Sequence, residues 1–258
     1  MPDLIAIEGV TKVYPTLAGE TTLALDDVSL TVAENEFLTI VGPSGCGKST
    51  LLKLVAGVLS ATRGRIVFRG RPLAGPTREV GMVFQSPVLM PWRTVLDNVL
   101  FPIEMLRLPV ARYRDEARRL IELTGLGGFE RAYPRELSGG MQQRVSICRA
   151  LVYDPPLLLM DEPFGALDAM TREEMGMELL AVWHERRKTV VFVTHSIPEA
   201  VLLADRVVVM TPRPGRVVAV TRVELPRPRT LDMEFSREFS EHASAIRARI
   251  ADGRGRGR

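Results

Sequence analysis

The segment GPSGCGKST at residues 42–50 sets a lysine and three hydroxyls among glycines. Gly42, Gly47, Lys48 and Ser49 fall in the spacing G-x-x-x-x-G-K-[ST]. Glycines at those positions let the backbone turn tightly and aim N–H groups at one polyphosphate. Lys48 is a point charge for β- and γ-phosphate oxygens, and Ser49 an oxygen ligand for magnesium. The pattern has the context it needs. FLTIV (37–41) reads as an apolar strand before it, and LLKLVAGVL (51–59) as a helix after it, whose positive end meets the anion.

Other residues could act on such a ligand. LLLMDE (157–162) places Asp161 and Glu162 at the C-terminal end of a strand, where open α/β sheets bind ligands. Asp161 would hold magnesium, through water. Glu162, one residue on, aims elsewhere and can take a proton from, or orient, a water attacking the γ-phosphate. Gln85 ends the strand VGMVFQ and His195 ends TVVFVTH. An amide can meet magnesium with its oxygen. A neutral imidazole can accept from the attacking water or, protonated, donate to the γ-phosphate. Each of these is also an ordinary surface residue when taken alone. A second glycine-rich start, LSGGMQQR at residues 137–144, precedes another helical run. One nucleotide needs only one such loop. Ser138 there also fits an ordinary helix cap, although two glycines in a first turn are each about 1 kcal/mol less favourable than alanine.

The supporting elements can be read from periodicity. LIAIEGVTKVY and TLALDDVSLTV alternate as half-buried antiparallel strands do, with the loop TLAGET between them. RIVFRG and VGMVFQ are further strands. Uniformly apolar PLLLMDE, TVVFVTH and RVVVMTP suit a parallel sheet covered on both faces. From Ser86 the character turns helical, and residues 87–155 read as an inserted helical subdomain in which Tyr113, Ala117, Leu120, Ile121 and Thr124 share one helix face. Helices are expected at 171–187 and 198–204, the second opened by a capping box from Ser196 to Glu199. GRVVAVTRVEL is a late edge strand. A polar helical or flexible tail covers 231–258.

With 258 residues, 46% hydrophobic and 25% charged, the chain can bury a sizeable core. Net charge is +3, and the terminal GRGRGR supplies part of it as a solvated end, too short for a nucleic-acid face. No apolar run approaches the ~20 residues that cross a bilayer, and MPDLIAIEGV, without a basic start followed by an apolar stretch, does not read as a secretory signal. Cys46 and Cys148 cannot frame a disulfide scaffold, so the chain reads as cytosolic. Cys46, beside Lys48 and a helix start, is expected to be a reactive thiolate that alkylating reagents attack and the bound triphosphate protects.

Together these motifs resemble the ATP-binding subunits of ABC transporters: phosphate loop 42–50, Gln85, signature 137–144, LLLMDE, the loop GALD ending at Asp168, and the switch residue His195. The match spans roughly residues 3–230. It implies an α/β fold: a P-loop (RecA-like) nucleotide-binding core with an antiparallel β subdomain and the inserted helical one, residues 1–230 forming the ATP-binding domain. It implies an ATPase with ATP and Mg2+ as cofactors. Lys48, Gln85, Glu162 and His195 would be catalytic. Gly42, Pro43, Ser44, Gly45, Cys46, Gly47, Lys48, Ser49 and Thr50 would bind the nucleotide, with Gln85 and Asp161; Ser49, Gln85 and Asp161 would hold the metal. In such subunits two copies sandwich two ATP molecules head to tail. Ser138, Gly139 and Gly140 of one copy would cap the nucleotide of the other, which answers the question of two glycine-rich starts. Tyr14 would stack on adenine, a contact of ~1–3 kcal/mol.

The resemblance also implies partners: integral membrane permease subunits, a second ATP-binding subunit as a homodimer, and a periplasmic or lipid-anchored substrate-binding protein, with no nucleic acid. Location would be peripheral, at the cytoplasmic face of the inner membrane. Leu89, Met90, Trp92 and Val95 could line a permease groove. A separate ATPase chain, with LMPWRTVLDNV and TPRPGRV, is similar to importers of nitrate, taurine and alkanesulfonates. The alternatives are a soluble ABC ATPase without a transport role, such as a cofactor-assembly ATPase, and an inactive regulatory subunit, against which Glu162, Lys48 and His195 speak.

Overall fold

In the computed structural model, residues 3–15 and 20–255 are described, with side chains to 253. The expected loop at 16–21 therefore lies mostly outside them, as do Arg256 and Arg258. The chain divides into one unit of Met1–Thr77 with Lys188–Arg258, and a second of Arg78–Arg187.

The first unit opens with β1 (Asp3–Pro15) and β2 (Thr21–Ala33), paired antiparallel with several bulges. Strand β3 (Phe37–Val41) is buried along its whole length. It feeds helix α1 (Lys48–Val55) through the glycine loop. Strand β4 (Arg63–Phe68) then returns antiparallel to β1, and the short β5 (Arg71–Pro72) pairs with β4.

The chain next builds the second unit. Strand β6 (Val80–Val83) runs parallel to β7 (Leu157–Asp161), and three helices lie between them in sequence: α2 (Val95–Met105), α3 (Val110–Leu123) and α4 (Gly139–Leu151). Ala117, Leu120 and Ile121 of α3 are buried, and Thr124 turns its hydroxyl back onto Leu120 O (2.9 Å), so the expected apolar face points inward. Helix α5 (Ala169–Arg186) completes the unit and begins two residues before the expected start, because Asp168 caps it by accepting from Thr171 N–H at 3.0 Å.

Back in the first unit, β3 lies parallel to both β8 (Thr189–Thr194) and β9 (Arg206–Met210). All of β8 is buried, as its unbroken apolar run requires. Helix α6 (Ile197–Leu203) joins β8 to β9. Only half of its expected capping box forms: Ser196 caps Glu199 N–H, but the Ser196 N–H donates to Thr194 Oγ1 (3.0 Å) and the Thr194 hydroxyl donates to the Glu199 carboxylate (2.6 Å). Strand β10 (Val217–Arg222) is antiparallel to β9 and half exposed, as an edge should be. Helix α7 (Arg237–Gly255) packs on α6, β9 and β10, with Phe239 and Ile246 buried.

One buried cation ties this last segment down. Arg229 is 4% exposed and donates to the carbonyls of Val201, Leu202 and Ala204 at 2.7–3.0 Å, which are the orphan acceptors at the end of α6. Burial, helped by the charge of Arg227, pushes its pKa down to about 10.

Candidate functional site

The first unit carries Tyr14, residues 42–50 and His195. Gly47 ends the loop with φ 101°, and a Cβ there would lie 2.7 Å from Leu25 Cδ2 and 3.0 Å from Ala24 O. Only glycine fits both the backbone and the space. Lys48 is buried, and its ammonium donates to the carbonyls of Gly42 (3.0 Å) and Pro43 (3.3 Å), so the cation sits inside the loop that it closes. The Cys46 N–H donates to Pro43 O at 3.2 Å. Among the described residues, the N–H groups of Ser44, Gly45 and Gly47 meet no acceptor. A cation, unsatisfied donors and the N-terminus of α1 around one loop make a socket for a polyphosphate. Ser49, in the first turn of α1, is exposed.

Cys46 is fully buried, its Sγ packed under Gly42, so a bulk alkylating reagent has no path to it, which corrects the expectation that it is alkylated selectively. Cys148, in the second unit, is equally inert, its thiol pushed up to about 12 by burial. One face of the half-buried Tyr14 ring carries the Lys12 ammonium, 5.2 Å from the centroid, leaving a single face for any stacked base. His195 follows β8 directly and is exposed.

The second unit carries Gln85, Ser138–Gly140, Asp161, Glu162 and Asp168. Asp161 is the buried last residue of β7. Glu162 has φ 44°, a left-handed conformation that a side chain rarely adopts. The turn holds it there, since Gly165 N–H donates to Glu162 O at 3.0 Å. Local strain of this kind gathers where a side chain must be aimed. Gln85 does not end the strand: β6 stops at Val83, and Gln85 lies in the bend beyond it. Its amide nevertheless reaches the same turn, since a Cβ built on Gly165 would be 3.7 Å from Gln85 Nε2. Asp168 is held below the usual carboxylate range by the N–H and then the hydroxyl of Thr171.

Ser138 and Gly139 are exposed at the start of α4. The Ser138 oxygen caps its own helix by accepting from Met141 N–H at 3.2 Å, which leaves the hydroxyl proton for another acceptor. The two glycines differ. A Cβ on Gly140 would meet Thr171 Cγ2 at 2.9 Å, whereas one on Gly139 would enter open space. Packing requires the first; Gly139 leaves its surface clear for something approaching from outside.

Several functional contacts are invisible to periodicity. Gln143 donates to Phe84 O (3.2 Å), and Arg149 donates to Pro87 O (2.7 Å) and Val88 O (2.8 Å), so α4 grips the chain on both sides of Gln85. Val88 has φ 46°, rare for a β-branched residue, and is 56% exposed. Arg144 reaches Glu178 at 2.8 Å and fixes α4 to α5. The fully buried Asn98 accepts from Met90 N–H and donates to Met90, Arg93 and Thr94 carbonyls, which staples the 90–94 loop. That loop presents Trp92 at 72% exposure, while Val95 turns into the helical core and leaves the expected groove. Among the described residues no group of three or more His, Cys, Asp or Glu could hold a metal, and no helix is long and apolar enough to cross a membrane.

Comparison with known proteins adds a family, two relatives and a solved structure. The family model described as ABC transporter matches residues 25–165. The aliphatic sulfonates import ATP-binding protein SsuB of Bacillus licheniformis is 49% identical over 81% of this chain and 81% of its own. The taurine import ATP-binding protein TauB of Pelagibacter ubique is 46% identical over 84% and 82%. Among solved structures, a dimeric post-hydrolysis ATP-binding cassette bound to ADP and Pi superposes with TM-score 0.75 at 32% identity, covering 86% of this chain and 100% of that one.

Proposed function

The chain belongs to the ABC transporter family as the ATP-hydrolysing subunit of an importer, and we propose that its cargo is a small sulfonate-type anion. The family's fold and its ATPase activity, coupled to transport, carry over with membership. The observation that carries the mechanism is the loop at 42–50: a buried ammonium and unsatisfied N–H groups facing one helix start are what a triphosphate needs.

The individual roles are our reading. Residues 42–50 grip the phosphates, and Tyr14 offers its remaining face to adenine. Magnesium bound with the nucleotide would supply positive charge to offset that of the phosphates. Ser49 of the first unit, and Gln85 and Asp161 of the second, would supply the oxygen donors that this hard ion prefers. Glu162 takes the proton of the attacking water, and its constrained backbone supports a fixed aim. His195 contacts the γ-phosphate or that water. Ser138 gives its hydroxyl proton, and Gly139 a clear approach, to the nucleotide of a second copy.

The partners are a membrane permease and a second ATP-binding subunit, and the chain associates peripherally with the membrane. We propose that the second subunit is an identical copy, that the membrane face is cytoplasmic, and that a substrate-binding protein outside delivers the cargo. Trp92, Val88 and Met105, 72%, 56% and 67% exposed, support docking of the permease on the second unit. The test is ATP-driven uptake by vesicles rebuilt with the neighbouring permease and binding protein. Labelled taurine or an alkanesulfonate should accumulate only with ATP. Accumulation of nitrate instead would reject the sulfonate assignment, and co-purification with soluble partners alone would favour a cofactor-assembly ATPase.

A further inference from the structure

The turn TPRPGRV (211–217) follows β9, and none of the roles above uses it. It is fastened firmly. The Thr211 hydroxyl donates to Pro214 O (2.9 Å) and accepts from Arg216 N–H (2.9 Å). Gly215 N–H donates to Ala24 O, and Asp26 N–H donates to Gly215 O, both at 3.0 Å. Gly215 sits so close to the phosphate loop that a Cβ would collide with Cys46 O. Arg216 is consumed in this anchoring: its Nε donates to the Asp26 carboxylate at 2.9 Å.

Arg213 is different. It is exposed, lies between Pro212 and Pro214, and meets no carboxylate or other hydrogen-bond partner among the described residues. Its guanidinium stands over the loop instead, with Nη2 3.8 Å from where a Cβ of Gly45 would be. Gly45 is one of the residues whose N–H lacks an acceptor. A rigid turn thus delivers an uncommitted, planar five-donor cation to the rim of an anion socket. Guanidinium forks match phosphate oxygens in geometry as well as charge.

We propose that Arg213 is a further nucleotide-binding residue, donating to phosphate oxygens of the nucleotide held by residues 42–50. The proposal rests on the reading of that loop as the ATP site. It makes Arg213 a second cation beside Lys48, one that works from the solvent side where Lys48 works from within.

The test is equilibrium binding of ATP, ADP and AMP to the whole chain in magnesium buffer, with the wild type beside Arg213→Ala, Arg213→Lys and Arg213→Glu. The alanine variant should lose affinity for ATP and ADP by about tenfold, the glutamate variant by more, and the lysine variant by less, since its ammonium restores charge without the fork. Binding of AMP should change little. The melting temperature without nucleotide should stay put, because the side chain supports nothing in the fold. ATP and ADP affinities within twofold of wild type in both the alanine and glutamate variants overturn the proposal. So does intact binding with lost dimerisation, which would assign Arg213 to a carboxylate on the second copy. A wild-type chain that binds no ATP would instead overturn the reading of the loop itself.

Discussion

The two glycine-rich helix starts look alike on paper and differ in the fold. At 42–50 the loop has its own cation: Lys48 is buried within it, and Gly47 is dictated by both φ and crowding. At 138–140 there is no cation inside the turn. Ser138 and Gly139 face outward, and only Gly140 is dictated by packing, against Thr171. The first start can hold an anion without help, because charge and donors converge from several directions. The second supplies one hydroxyl and a helix end, too little to bind phosphate alone. It makes chemical sense only as a cap on a ligand already held elsewhere. That asymmetry supports the proposed pairing with a second ATP-binding subunit.

The comparison can be broken in order of expected effect. Glu162→Gln should slow hydrolysis by something like 10²–10⁴-fold with ATP binding retained, if binding and chemistry are separate tasks; steady-state turnover beside binding isotherms checks this, and normal turnover rejects the role. Lys48→Ala should cost ATP affinity by roughly 10–100-fold, since it removes the charge at the centre of the socket. Ser138→Arg should leave ATP affinity within about twofold, as a residue outside the socket must, yet abolish ATP-induced dimers in size-exclusion chromatography. Equal damage to affinity from the lysine and serine changes would erase the distinction between socket and cap. The finest test separates the paired glycines: Gly140→Ala should destabilise the chain by about 1–3 kcal/mol through overpacking, while Gly139→Ala should be neutral or slightly stabilising by helix propensity. Denaturant melts that rank them the other way would show that the packing reading is wrong.

Much of this was legible in the sequence, for physical reasons. β3, β7 and β8 are largely apolar and buried throughout because both faces are covered, which is how their short apolar stretches are read as strands of a parallel sheet. The face of α3 followed from spacing. What escaped was whatever depends on residues far apart in the chain. Gln143 and Arg149 reach residues about sixty positions away, and no periodicity announces that. Gly139 and Gly140 are adjacent and identical in type, so only the neighbour across the turn tells them apart. Cys46 looked reactive because charge and helix end are local signals, whereas the burial that silences it is not. Gln85 was placed on a strand that stops two residues sooner, the usual uncertainty at an element's end.

The hold of α4 on residues 84–88 has a mechanical corollary. A single rod bears Ser138 at its tip and hooks at Gln143 and Arg149, the last some 15 Å along its length at 1.5 Å per residue. Those hooks clasp main-chain carbonyls, so they hold the backbone of residues 84–88 itself rather than its side chains. A push delivered near Trp92 would therefore swing tip and bend as one lever, with Gln85 riding at the crook.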